Sequence, residues 1–391
     1  MTAKIKLNSA SGGGSVSIQA PSSSSNDRTL SLPSDGDGVL AKTDSSGNLT
    51  VSGNLNTSNI NGGQLGNRRI TINGAMQVGQ RGVVSTTQGY QTVDRYECDF
   101  SGTDEAPEQR HISLTTSDTP YSLGLTKAYK ITNGNQSSGA GAADYIRIRH
   151  RIEAMDMRDC GWNYKSPSSF ITISFWVKSS VAQTFYLTFR TYDGTGQYYP
   201  IPFAATTSWT KITHSIPGNS NLDFDTNVDL GLELQWALFF GTDYTNNTRT
   251  DNAWAQFASG TQTKDQTSTW YTTNDATFEL TGVQLEVGST ATSFEFRTFA
   301  QEEMLCRRYY QKTPVSSNGA LTTYGGRYST GSGFVMIKHV PPMRAVPALN
   351  WTARATSAGF SYANYSGAEL TQVLMTSASP YLTGAVLDAE L

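Results

Sequence analysis

Short segments in which apolar and polar residues alternate run through most of this chain. Isoleucines alternate with arginines in YIRIRHRIE (145–153), and FITISFWVKSS (170–180) and TFYLTFRTY (184–192) repeat the same period. A period of two is typical of β-strands, because successive side chains point to opposite faces of a sheet. Turn residues separate the segments, and helical periodicity is rare. The pattern predicts an all-β protein built around an antiparallel β-sandwich, with the arginines of 145–153 on a solvated face.

One strand carries a change of phase. Phe278 and Leu280 alternate with polar residues, and after Gly282 the apolar positions resume one residue late, at Val283. A shift of one residue at a glycine indicates a β-bulge. We therefore expect a half-buried strand from Phe278 to Val287 that carries a bulge at Gly282.

A short helix is predicted directly after that strand, over residues 299–311. Thr298 and Gln301 have the spacing of a capping box, which satisfies the first free amide groups of a helix. Leu305 and Tyr309 share the face expected to be buried, and Glu303 is spaced to pair with Arg307. We interpret the helix as a connection between a β-sandwich domain, 67–298, and a small C-terminal β-domain, 312–391.

Residues 1–66 have a different composition, with no Trp, Tyr, Phe or Cys. Their short alternating segments lack the bulk to bury a core within one chain. We predict a fibre-like N-terminal attachment arm in which copies of the chain wind together as a homotrimer, and an axis lined by Leu49, Val51, Leu55 and Ile60. The alternative is a flexible linker rich in Ser and Gly.

The composition excludes several classes of protein. The net charge of −3 provides no basic face for nucleic acid, so no nucleic-acid partner is predicted. No apolar run is long enough to cross a bilayer, and the N-terminus lacks the apolar core of a secretory signal. We therefore expect synthesis in the cytoplasm and no membrane insertion. Cys98, Cys160 and Cys306 are too scattered for a disulfide framework and are expected to be free thiols.

The sequence contains no convincing catalytic or metal-binding pattern. Glu153, Asp156 and Asp159 precede Trp162, and two such carboxylates could hydrolyse a glycan. Nothing in their spacing fixes the separation that this mechanism requires, and turn hydrogen bonds explain the aspartates equally well. The four histidines are isolated from other ligand types, and no phosphate-binding loop opens a helix. We predict a protein that is not an enzyme and that uses no metal and no cofactor.

Carbohydrate is the ligand that the sequence favours. Flat aromatic rings stack on the apolar faces of sugars, and neighbouring polar side chains bind the hydroxyl groups. Aromatic residues gather in loop-like segments that also contain Asn, Asp or Gln. The predicted glycan-binding residues are Tyr192, Tyr198, Tyr199, Trp254, Trp270 and Tyr271. The alternative for each ring is the sandwich core or a subunit interface, and Trp176 and Trp236 are expected to be core residues.

Several stretches resemble one group of viral proteins. RRITINGAMQVGQRG (68–82), the segment 151–180 and the segment 278–311 resemble a jelly-roll domain common in bacteriophage tail-fibre and minor structural proteins. PPMRAVPALN (341–350) and LDAEL (387–391) resemble the small domain that often follows it. SVSIQAP and SGNLTVSGNLN look like the N-termini of fibre proteins of marine podophages and cyanophages.

This resemblance implies a virion component, and it extends over roughly residues 67–391. The group is similar to carbohydrate-binding jelly rolls, which implies a sugar-binding ancestry. The expected function is a tail fibre or related appendage that engages glycans on the host cell surface, with the N-terminal arm bound to other virion proteins. Two alternatives stay open: an architectural capsid- or tail-attached fibre without receptor activity, and a glycan-degrading tailspike.

Overall fold

A computed structural model describes residues 4–8, 11–19, 66–312, 325–329, 332–354, 361–376 and 381–391. The chain divides into two units, residues 1–57 and 58–391. In the first unit, strand β1 (Lys4–Asn8) pairs with strand β2 (Ser15–Gln19) in an antiparallel hairpin. The predicted axis residues Leu49, Val51, Leu55 and Ile60 lie outside the described residues, so the trimeric arm stays a prediction.

The second unit contains the other described strands and three short helices. The strands that build its sandwich are β3 (Val84–Ser85), β4 (Glu97–Ser101), β5 (Glu108–Ser113), β6 (Lys127–Thr132), β7 (Tyr145–Glu153), β8 (Phe170–Ser179), β9 (Gln183–Thr191), β10 (Gln197–Ala205), β11 (Thr210–Pro217), β12 (Leu230–Phe240), β13 (Ala255–Gln256) and β14 (Thr277–Val287). The helices are α1 (Ala154–Arg158), α2 (Thr269–Thr272) and α3 (Phe299–Arg307).

The twelve strands form two six-stranded antiparallel sheets that pack face to face. The first sheet has the order β13-β10-β9-β12-β7-β4, and the second has the order β11-β8-β14-β6-β5-β3. Consecutive strands often change sheet: β8 and β11 belong to the second sheet, whereas β9, β10 and β12 belong to the first. This arrangement confirms the predicted all-β sandwich.

Aromatic rings from both sheets meet in the core. The ring of Phe175 on the second sheet lies 5.7 Å from Trp236 on the first, and Phe185 on the first sheet lies 5.1 Å from Phe278 on the second. Such edge-to-face pairs add to the free energy of burying the rings. Trp236 is a core residue, as expected, but Trp176 is not: it packs against Trp209 on the outer side of the second sheet. The alternation places it there, since its neighbours Phe175 and Val177 point inward.

The bulge predicted in β14 is present. Gly282 has a φ of +62°, and the register against β8 shifts between Thr281 and Gln284. A side chain at this position would also lack space, because a Cβ atom would lie 2.8 Å from Leu125 Cδ1 and 3.0 Å from Trp176 Cδ1. Both the backbone conformation and the packing therefore require glycine here.

The prediction that β14 is half-buried is wrong, because its outward side chains are buried as well. These are Glu279, Thr281, Gln284 and Glu286. Thr281 Oγ1 donates a hydrogen bond to the Lys127 carbonyl at 2.7 Å, and Glu286 accepts one from the backbone N–H of Thr292 at 2.8 Å. The segment that follows the strand folds back over it, so polar groups on the outer face are satisfied away from water.

The arginine face of β7 is likewise not freely solvated. The side chains of Arg147, Arg149 and Arg151 are only 15–16% exposed. Arg147 and Arg149 lie in cross-strand rows with residues of both β4 and β12, and Arg151 lies opposite Glu233 of β12. Each of the three is ion-paired to carboxylates from these strands. The alternation correctly placed the arginines on the outer face, but their paired neighbours remove most of their surface from water.

Helix α3 has the predicted capping box. Thr298 is the N-cap: its side chain accepts a hydrogen bond from the Gln301 backbone amide, and the side-chain oxygen of Gln301 accepts one from the Thr298 backbone amide. Tyr309 is buried and Leu305 is partly buried against the same cluster, as predicted, although Tyr309 lies beyond the end of the helix. Glu302 and Cys306 are buried as well, so the buried face is wider than expected.

The C-terminal residues form two small antiparallel sheets. One contains β15 (Tyr310–Lys312), β21 (Tyr381–Asp388) and β18 (Ala348–Arg354), and the other contains β16 (Gly325–Ser329), β17 (Ser332–Lys338), β20 (Leu370–Thr376) and β19 (Ser361–Ser366). The helix predicted to extend to 311 ends at Arg307, because Tyr310 begins the strand that pairs with β21. The proposed domain boundaries at 298 and 311 remain predictions.

Candidate functional site

An open groove lies at one end of the sandwich, beside the edge strand β13. It has a volume of about 430 Å³ and is formed mainly by the connections that flank β9, β11 and β13. Its lining residues are Lys165, Gly194, Thr195, Gln197, Ser220, Asn221, Leu222, Asp223, Trp254, Ala255 and Gln256. The groove combines one large aromatic ring with many hydroxyl, amide and charged groups.

Trp254 is held by contacts on its inner side, and its outer side is partly accessible. Its indole Nε1 donates a hydrogen bond to the Pro217 carbonyl at 2.7 Å, and its ring lies 5.1 Å from that of Tyr199. Its outer surface is half-buried, and it lines the groove. The ring is therefore held in one orientation before a ligand arrives, which reduces the entropic cost of binding.

Two loops approach each other closely at the groove wall. Gly194 has a φ of +57°, and a Cβ atom there would lie 3.1 Å from the Cβ of Asp223. The Asp223 carboxylate in turn lies 3.3 Å from the ammonium group of Lys165. Both partners of this ion pair are about half exposed, so their hydrogen-bonding capacity is open to water or to a ligand.

Carboxylates dominate the electrostatics near this wall. Burial raises the pKa of Asp193 above its ordinary value, and the neighbouring charges of Asp225, Asp223 and Asp229 raise it further. Asp193 also accepts a hydrogen bond from the Asp225 amide at 3.2 Å. Among the described residues, no three His, Cys, Asp or Glu side chains are placed to hold a metal ion.

The structure separates the six aromatic residues predicted to bind glycan. Four of them, Tyr198, Tyr199, Trp270 and Tyr271, are at most 2% exposed. Trp270 lies against Phe185 and Tyr271 stacks on Phe239, so α2 inserts both rings into the core. A buried ring cannot present its face to a sugar, and these four positions are therefore corrected to core residues.

Tyr192 and Trp254 remain accessible, but they lie in different places. Trp254 lines the groove, whereas Tyr192 lies on the outer face of the first sheet and its hydroxyl donates to Glu233 at 3.0 Å. Sequence reasoning missed the groove residues Lys165, Asp223 and Gln256. Only their position in turn-rich segments could have suggested them, since the loops meet through the tertiary fold.

In the acidic segment considered for catalysis, Glu153 has a structural role. The Glu153 carboxylate is buried and accepts hydrogen bonds from Arg308 at 2.8 and 3.0 Å and from the Tyr309 hydroxyl at 2.7 Å. Asp156 and Asp159 are exposed at the helix α1 that follows. The three acidic residues are therefore one buried, hydrogen-bonded carboxylate and two surface carboxylates.

No helix in the described parts of the chain is long and apolar enough to cross a membrane.

Comparisons with known proteins give matches of fold only. No family model and no curated protein matches the sequence. The enzymatically active domain of tailspike protein 4 of bacteriophage CBA120 is similar over 56% of this chain, with 7% identity and a TM-score of 0.30, and the match spans 21% of that structure.

Two carbohydrate-binding modules also match. A family 4 module is 11% identical over 49% of this chain and 94% of its own, with a TM-score of 0.26. The family 11 module of the cellulase Lic26A-Cel5E of Clostridium thermocellum is 9% identical over 54% of this chain and 98% of its own, with a TM-score of 0.25.

Proposed function

We propose that this protein binds a glycan in the Trp254 groove. The observation that carries the proposal is a preformed, accessible indole beside a dense set of amide, hydroxyl and charged groups. Sugars offer apolar faces to rings and hydroxyl groups to planar polar side chains, so this combination fits an oligosaccharide.

We further propose that the protein is a virion component, a tail fibre or related appendage, that uses this groove to engage the host surface. This part rests on the resemblance of residues 68–82, 151–180 and 278–311 to phage fibre proteins. In this proposal the chain acts as a homotrimer and binds without hydrolysis. The engagement of Glu153 by Arg308 and Tyr309 supports binding without cleavage, because that carboxylate is not free to transfer a proton.

A glycan array probed with the full-length protein tests the binding proposal. Wild-type protein should bind a subset of surface oligosaccharides, and Trp254→Ala should weaken that binding about 30-fold, as expected for loss of a central aromatic anchor. Tyr121→Ala serves as the matched control, because Tyr121 is 37% exposed and does not line the groove. It should bind as the wild type does.

Thermal unfolding of each variant establishes that any loss reflects the groove and not the fold. Equal weakening by Trp254→Ala and Tyr121→Ala would refute the groove as the binding site. Absence of binding to every oligosaccharide would refute the glycan proposal and favour an architectural fibre.

A further inference from the structure

Arg190 has an unusual environment on the outer face of the first sheet. Its guanidinium carbon lies 3.6 Å from the ring centre of Phe257 and 4.4 Å from that of Tyr192. Within residues 66–312, all of which are described, the Arg190 guanidinium forms no hydrogen bond and no ion pair. All three side chains are partly accessible. The rings orient the guanidinium, and its donors remain free.

The nearest carboxylate in the sheet does not neutralise Arg190. Glu233 is its cross-strand partner on β12, but the Glu233 carboxylate is fully buried and already accepts hydrogen bonds from Arg151 at 2.7 Å and from Tyr192. The arginines of β7 lower the pKa of Glu233 despite its burial, so its charge is matched on that side. The three arginines of β7 are ion-paired with Glu97, Asp99 and Glu233, whereas Arg190 takes no part in these pairs.

Arg190 is also close to the groove along the sheet. Its other cross-strand partner is Tyr198 on β10, which pairs in turn with Ala255 on β13. Two strand spacings separate Arg190 from Ala255, roughly 10 Å between Cα atoms. Ala255 itself lines the groove beside Trp254. A ligand that leaves the groove across the short edge strand β13 would reach Arg190 within a few sugar residues.

We propose that Arg190 anchors the carboxylate of an acidic sugar in a glycan whose neighbouring residues occupy the Trp254 groove. A planar guanidinium with free paired N–H groups matches a carboxylate in a bidentate geometry. The flanking rings exclude water from its faces and leave its edge for the anion. The groove wall itself is rich in carboxylates, which disfavours a second acidic group there. This inference rests on the proposed function and specifies the class of glycan and the position of its charge.

Calorimetric titration with matched ligand pairs tests the anchor. The ligands are oligogalacturonate, oligoguluronate and sialyllactose, each compared with its carboxyl methyl ester, which keeps the sugar and removes the charge. Wild-type protein should bind at least one acid about tenfold more tightly than its ester, a difference of about 1.4 kcal/mol. Arg190→Gln should abolish this preference. Arg190→Lys should retain only part of it, because lysine keeps the positive charge but lacks the two parallel N–H donors of the guanidinium.

Arg158→Gln is the control, since it removes an equal charge from an exposed position on α1 and should keep the preference. If Arg190→Gln does not fold, the change in acid preference measured for Arg190→Lys is the test of the anchor instead. The inference is overturned if no acid is preferred to its ester by the wild type, or if the preference survives in Arg190→Gln. Trp254-dependent binding of neutral array glycans in that case would leave the proposed function standing and remove only the acidic anchor. Loss of both kinds of binding would refute the proposed function as well.

Discussion

The guanidinium of Arg69 and the carboxylate of Glu302 form an ion pair in the interior of the protein, 233 residues apart in sequence. Their side chains are 0% and 1% exposed. Glu302 also accepts a hydrogen bond from the Asn73 amide, and the guanidinium of Arg297 lies 3.7 Å away. The pair connects helix α3 to the segment around Arg69 that precedes the first strand of the sandwich.

Removing one partner of this pair should be costly, because the other charge would stay buried without compensation. We expect Glu302→Ala to lower the free energy of unfolding by about 3–5 kcal/mol. Glu303→Ala, one residue away and partly exposed, should cost less than about 1 kcal/mol. Urea unfolding measures both values. Similar costs for the two variants would show that the Arg69–Glu302 pair contributes little.

The bulge in β14 makes a second prediction. Gly282→Ala forces a side chain into the left-handed region and against Leu125, and we expect a loss of about 1–3 kcal/mol. Gly82→Ala is a suitable control, because a Cβ atom there meets nothing closer than 3.6 Å and the backbone is not left-handed. Thermal unfolding gives the melting temperatures of the two variants for comparison. An unchanged melting temperature for Gly282→Ala would contradict the strained geometry.

Buried His150 makes stability depend on pH. Burial and the charge of Arg95 hold the pKa of His150 well below its ordinary value, and its Nδ1 lies 3.0 Å from the Arg95 carbonyl oxygen. The folded imidazole therefore stays neutral, while the unfolded one takes up a proton below pH about 6.5. Stability should fall as the pH drops from 7.5 to 5.5, and His150 accounts for about 1.4 kcal/mol of that loss.

Denaturant unfolding of wild type and His150→Gln at both pH values isolates this contribution. Burial also lowers the pKa of His111 and His214, but both histidines are present in either protein and cancel in the comparison. The variant should lose about 1.4 kcal/mol less than the wild type between these pH values. An identical loss in both proteins would mean that His150 is protonated in the folded state.

The trimer predicted from residues 1–66 is tested by mass measurement in solution. Light scattering coupled to size-exclusion chromatography should give three times the chain mass for the full-length protein at micromolar concentration. A folded monomer under these conditions would refute the prediction. Introducing a charge at the predicted axis, as in Leu55→Lys, should dissociate the trimer, whereas the same change at Asn54 should not.

Local sequence patterns predicted the local structure well. The alternation in 145–153 and 170–180 became β7 and β8, and the phase shift at Gly282 became the observed bulge. Thr298 and Gln301 form the expected capping box. These features depend on residues within a few positions of each other, so their causes are visible in a short window of sequence.

The same patterns could not show which outward faces would be covered. Thr281 and Arg149 both point away from the core as alternation requires, yet distant segments and neighbouring strands enclose them. Trp270 and Tyr271 were placed in a loop, although tertiary packing inserts them between the sheets. The sequence around Glu302 gives no sign that this residue is buried, because its partner Arg69 is more than two hundred positions away. The alternation in 184–192 accounts for the outward position of Arg190, but its lack of an ion pair depends on the hydrogen bonds that Glu233 already makes to Arg151 and Tyr192.

The groove proposed as the binding site lies apart from the residues that stabilise the fold. Its walls come from connections such as 194–195 and 220–223, whereas the rings that hold the two sheets together lie on the strands between them. Substitutions at exposed loop positions usually change stability by less than about 0.5 kcal/mol. Under the proposed function, ligand preference can therefore diverge rapidly at Thr195 or Ser220 while selection on the core conserves the sandwich. A virion appendage of the proposed kind would change its ligand most readily at this end of the sandwich.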